Sequence, residues 1–76
     1  MTEIIKVIYS GQAEDSYTHK FFSKSDRRSA TAFAKSISKE TGRQSSIYMS
    51  KGHFFGGEFY TSEATLIASY YNGKRK

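Results

Sequence analysis

The hydrophobic period changes near residue 23, and that change limits the fold more than any other feature. Before it, "EIIKVIYS" (3–10) is rich in β-branched and aromatic residues and reads as a strand. Ile5, Val7 and Tyr9 share one face of it; Ile4, Lys6 and Ile8 share the other. "GQAEDS" (11–16) is polar and reads as a loop, and "YTHKFF" (17–22) reads as a second strand. After residue 23 the spacing becomes helical. In "SKSDRRSATAFAKSISKETG" (23–42), Ala30, Phe33, Ala34 and Ile37 follow the i, i+3, i+4, i+7 pattern of one helical stripe. Ser23 with Asp26 gives a capping-box-like start, and Gly42 gives the stop.

The second half invites the same reading. "SSIYMS" (45–50) is a predicted strand, and "KGHFFGGEFY" carries a turn and a fourth strand. "TSEATLIASYYNG" (61–73) then shows Ala64, Ile67, Ala68 and Tyr71 at helical spacing, with Thr61 as cap and Asn72-Gly73 as stop. Both predicted helices are entered from an aromatic pair followed by Ser or Thr: Phe21-Phe22-Ser23 and Phe59-Tyr60-Thr61. The expectation is an α+β single domain over 1–76, built from two ββα units at 3–42 and 45–73. That gives ββαββα, a four-stranded antiparallel sheet with two helices on one face. Gly56-Gly57 is expected to mark a bulge or bend in a strand.

Size and composition bound the function. A chain of 76 residues hides only about 60% of the surface its unfolded form exposes. It has one modest core and little room for an enclosed pocket. The absence of Cys excludes disulfides and thiolate metal sites and fits a reducing, cytoplasmic setting. No apolar run approaches the roughly 20 residues a membrane helix needs. The opening "MTEIIKVIYS" carries an acid and lacks a long apolar stretch, unlike a signal peptide.

Catalytic and metal motifs are missing. His19 and His53 sit in different predicted strands with no metal-ligand spacing. No nucleophile elbow occurs, and Glu58 beside His53 reads as an exposed polar pair rather than an acid–base couple. Gly56-Gly57 is followed by Glu58, which would repel a phosphate, so "SKGHFFGGEFYTSE" (50–63) is no phosphate loop. The expectation is a protein that is not an enzyme and uses no cofactor or metal.

What remains is charge interleaved with aromatic rings. Twelve Lys and Arg stand against seven Asp and Glu, a net charge of +5. Such a balance draws nucleic acid, anionic lipid or acidic proteins, and it also serves solubility alone. If the helices cover Ile5, Val7, Ile47, Met49, Phe55 and Phe59, the other face presents Lys6, Lys20, Phe22, Tyr48, Phe54 and Tyr60. Rings with lysines on an open sheet are what single-stranded nucleic acid stacks on. Arg27 and Arg28 at the helix start, Arg43 after it and Lys51 add phosphate partners, and "KRK" closes the chain. The candidate binding residues are therefore Lys6, Lys20, Arg27, Arg28, Arg43, Tyr48, Lys51 and Tyr60. The same apolar face suits a protein partner or a homodimer.

The stretch "EIIKVIYSG", the acidic "AEDS", and "THKFFSKSD" before a helix resemble small early proteins of T-even bacteriophages. The nearest are the antitoxins called discriminator of mRNA degradation, which block a host RNase toxin by binding it. The resemblance covers roughly the first half. It implies a small phage-type protein that disarms a host factor such as a toxin nuclease, acting in the host cytoplasm, with no binding residue carried across. Two function classes stay open. One is an inhibitor linked to RNA or single-stranded DNA binding. The other is a purely protein-binding inhibitor of a host defence or transcription protein.

Overall fold

A computed structural model describes residues 2–10 and 17–76. The predicted loop at 11–16 lies outside the described residues. The chain runs β1 (Thr2–Ser10), β2 (Tyr17–Ser23), a short 3-10 turn (Lys24–Asp26), α1 (Arg27–Thr41), β3 (Gln44–Phe55), β4 (Glu58–Tyr71) and β5 (Lys74–Arg75). The strands form one antiparallel sheet in the order β2-β1-β3-β4-β5, with α1 packed on one face. The predicted ββαββα fold, with four strands and two helices, is therefore corrected to five strands and one helix.

The first half folds as its period demands. Ile5, Val7 and Tyr9 on β1 face α1, which presents Ala30, Ala34 and Ser38 as fully buried positions four residues apart. Small side chains on that row let the helix lie close to the sheet. Ser45 on β3 donates a 2.6 Å hydrogen bond to the Ala34 carbonyl, tying strand to helix. Ile47 completes the buried layer, with Tyr70 from β4 closing it. Phe33 sits half-buried at the rim, its ring 5.2 Å from Tyr9 and 5.7 Å from Phe22. Gly42 ends the helix in the left-handed region (φ 69°), its N–H donating to the Ser38 carbonyl. The start differs from expectation. Asp26 is the N-cap, and the Ser23 hydroxyl bonds that of Ser25 instead of a helix N–H.

The predicted second helix is the long strand β4. Its apolar residues look helical because two register irregularities, opposite Ile47/Tyr48 and Lys51/Gly52, each shift the alternation by one position. Leu66 pairs with Tyr48 on one face, while Ala68 pairs with Ile47 on the other, and Ile67 between them is the extra residue. A strand of twelve residues such as β3 also needs a partner of matching length, and only 58–71 supplies it. Phe59, Tyr60, Thr61, Thr65, Ile67, Tyr70 and Tyr71 are the β-favouring residues of that stretch. Gly56-Gly57, expected inside a strand, forms the two-residue hairpin turn from β3 to β4, both residues at positive φ. Asn72-Gly73 forms a second such turn (φ 51° and 81°) into β5 rather than a helix stop.

β3 and β4 run past the end of β1, whose Thr2 pairs with Gly52. Beyond that point the β3–β4 hairpin bends back over the face away from α1. In a flat sheet β2 and β4 would stand three strand spacings apart, about 14 Å. The rings of Phe21 on β2 and Phe59 on β4 instead lie 5.8 Å apart. Gly52 permits the bend: a Cβ there would collide with the backbone carbonyl oxygen of Tyr60. The second face is thus concave. Ile4 and Ser50, paired across β1 and β3, are buried although α1 is on the other side.

Candidate nucleic-acid interface

The concave face holds a cleft of about 410 Å³ lined by Lys6, His19, Phe21, Phe54, Glu58 and Phe59. Each residue arrives there for a separate reason. Lys6 lies on the even face of β1, an interior strand, and the β1–β2 register sets Phe21 directly opposite it. His19, two residues earlier on β2, meets Phe21 edge to face, ring centres 4.9 Å apart. Phe54 and Phe59 are a cross-strand pair near the hairpin end, rings 4.9 Å apart in edge contact. The bend at Gly52 carries this pair across to Phe21. Three phenylalanines and a histidine form one continuous chain of ring contacts. The Lys6 ammonium stands 5.8 Å from the Phe21 ring centre, a cation–π arrangement. Glu58 closes the hairpin side and accepts a 3.2 Å hydrogen bond from the Tyr60 hydroxyl.

The eight predicted binding residues do not form one surface. Lys6 alone lies in the cleft. Tyr48 pairs with Lys6 across β3 and shares its face. Lys20 points to the helix side, its ammonium 4.8 Å from the Phe33 ring centre and 5.4 Å from that of Phe22. Phe22 packs there too, against the core. Lys51 pairs with Glu63 on that same side of the sheet. Tyr60 is opposite His53 on the bent hairpin and is spent in part on Glu58. Arg27 and Arg28 are exposed in the first turn of α1. Arg43 lies past the far end of α1, its guanidinium donating to the Ser10 hydroxyl at 3.2 Å.

Sequence reasoning missed His19, Phe21 and Phe59. The cause is register. Lys20 pairs with Val7 and so cannot share a face with Lys6. Phe59 pairs with Phe54 across a tight turn and so must share its face. The Gly56-Gly57 dipeptide was the signal for that turn.

The arrangement offers ring faces and edges, a cation and an imidazole in an open cleft. Among the described residues no group of three His, Asp, Glu or Cys lies close enough to hold a metal. No helix among them is long and apolar enough to cross a membrane. Comparison of the chain with protein-family models, curated proteins and solved structures finds no match.

Proposed function

We propose that the chain is a non-catalytic binding protein that engages single-stranded nucleic acid, RNA first, in its concave cleft. The observation that carries this reading is the chain of rings through His19, Phe21, Phe59 and Phe54, with Lys6 against it. Unpaired bases stack on such rings at about 1–3 kcal/mol each, and a lysine beside them meets the backbone. The +5 charge favours the encounter. The resemblance of the first half to early phage proteins supplies the setting: an inhibitor acting in the host cytoplasm on a factor such as a toxin nuclease.

A second reading, a purely protein-directed inhibitor, draws on the hairpin tip. Phe54 and Phe55 are 59% and 77% exposed there. Exposed aromatics beside the hairpin turn, one on each face of β3, suit a pocket on a protein partner. Anisotropy with a short labelled RNA separates the two. The first reading expects Phe54→Ala to weaken binding by about 1–3 kcal/mol while leaving its salt dependence unchanged. Binding of the parent no tighter than about 10⁻⁴ M near physiological salt, the weak end of non-specific affinity, would leave only the protein-directed reading.

A further inference from the structure

A second groove, also about 410 Å³, lies on the other side of the sheet, between α1 and the β4–β5 turn. Its lining includes Lys35, Ser36, Lys39, Asn72, Gly73 and Lys74. We propose that this groove binds the phosphodiester backbone of a nucleic-acid strand, without reading its bases.

Three observations carry the assignment. First, the charge is of one sign. Three lysines line the groove, no acid does, and none of the three is within ion-pair distance of a carboxylate among the described residues. Lys39 lies in the last turn of α1, where a cation meets the helix dipole favourably. Lys35 and Lys74 stand exposed on the groove walls. Second, the walls are pinned. The Ser38 hydroxyl, buried between them, donates to the Lys35 carbonyl and accepts from the Gly73 N–H, both at 2.9 Å. Gly73 allows the close approach, since a Cβ there would lie 3.0 Å from the Lys39 Cβ. The lysines of α1 are thereby held at a fixed position relative to the turn that carries Lys74. Third, the cations flank an open groove. Lys35 and Lys39 follow one another along one wall at i, i+4, with Lys74 on the opposite wall. Cations spread over both walls of an open groove can meet successive phosphates of a strand passing between them. No aromatic lines the groove, so nothing there would stack on a base. Asn72 and Ser36 add neutral donors.

The site is separate from the ring-lined cleft, on the opposite face and at the other end of β4. Its test therefore excludes base stacking. The probe is a labelled abasic oligodeoxynucleotide of about a dozen units, titrated into isotope-labelled protein at several salt concentrations. The expected result is amide shift changes over 35–39 and 72–74, with binding that weakens steeply as salt rises. In K35Q/K39Q/K74Q those changes should shrink and need more strand to reach. With about 0.7 counterions released per single-strand phosphate contact, the salt slope should fall by about 2. An unperturbed spectrum away from the substituted positions verifies that the variant is folded. Shift changes centred elsewhere, no binding of the abasic strand, or an unchanged slope in the triple variant would each overturn the assignment. A base-bearing RNA of the same length, run in parallel, tests the cleft. If it moves 35–39 and 72–74 but not Phe21, Phe54 or Phe59, the cleft reading fails while the groove stands.

Discussion

The two faces of the sheet use similar residues to opposite ends. On the helix side, Tyr9 meets Phe33 edge to face and Phe22 meets it at a tilt, around a layer of Ile5, Val7, Ile47 and two alanines. Those rings are half-buried and hold the helix in place. On the concave side, Phe21, Phe54 and Phe59 also meet edge to face, but no helix covers them. The hairpin curls over part of that face and leaves a cleft. The difference lies in what each face is packed against. A helix with Ala30, Ala34 and Ser38 can approach a sheet closely and exclude water. A two-stranded hairpin folding back on its own sheet touches at its rings and leaves a gap behind them. Stability is therefore concentrated on one face, and exposed apolar chemistry on the other.

Changes on either face test that division. The largest effect belongs to the helix side. Ile47→Ala removes a side chain that is 1% exposed, and it should cost about 2–5 kcal/mol. That is a large share of the stability of any small domain. The urea midpoint should fall with an unchanged m-value. A midpoint equal to the parent's would show that the layer under α1 is not the stabilising one. Gly52→Ala comes next and acts on the concave side. Its methyl meets the Tyr60 carbonyl oxygen, and overpacking of this kind costs about 1–3 kcal/mol. The hairpin should swing away, so the nuclear Overhauser contact between the Phe21 and Phe59 rings should weaken or vanish. Retention of that contact with parental stability would mean the bend does not depend on Gly52. The smallest effect is at Ser50. Its hydroxyl is buried on the concave side with no hydrogen-bond partner among the described residues. An unmet hydroxyl costs about 1–3 kcal/mol, and removing it forfeits some packing. Ser50→Ala should thus leave the melting temperature equal to the parent's or raise it by a few degrees. A fall of more than a few degrees would show the hydroxyl to be satisfied in solution.

The sequence carried the helix-side face well, and the reason is periodicity. Ile5, Val7, Ala30, Ala34 and Ile47 repeat at the spacing of their elements without interruption. Phe33 and Ile37 also lie on the helix stripe as expected, half-buried at its flanks. The concave face was legible only at Lys6, Tyr48 and Phe54. Bulges hid the rest. An extra residue at Ile67 turns a strand's alternation into something that imitates a helix, and the apparent repeat of the first half reinforced the imitation. The two turn dipeptides, Gly56-Gly57 and Asn72-Gly73, mark hairpins of just the kind found, and reading them first would have put a strand between them. The β1–β2 register was not readable at all. It decides whether Lys20 or Phe21 accompanies Lys6, and both alternations of "THKFF" place one ring on each face. The lysine groove was hidden for a further reason: its walls are distant in sequence and are joined by the Ser38–Gly73 hydrogen bond and the close approach of Gly73 to Lys39.

The central claim is that the ring chain of the concave face is a stacking surface for single-stranded nucleic acid. The most direct measurement is a titration of ring-labelled protein with a short oligouridine, following the side-chain resonances of every Phe. Stacking predicts upfield shifts at Phe21, Phe54 and Phe59, a change at the His19 ring, and silence at Phe33, whose ring is held between Tyr9, Phe22 and Lys20 on the other face. Shifts confined to the exposed lysines and arginines, with the Phe21, Phe54 and Phe59 rings unmoved at saturation, would contradict it.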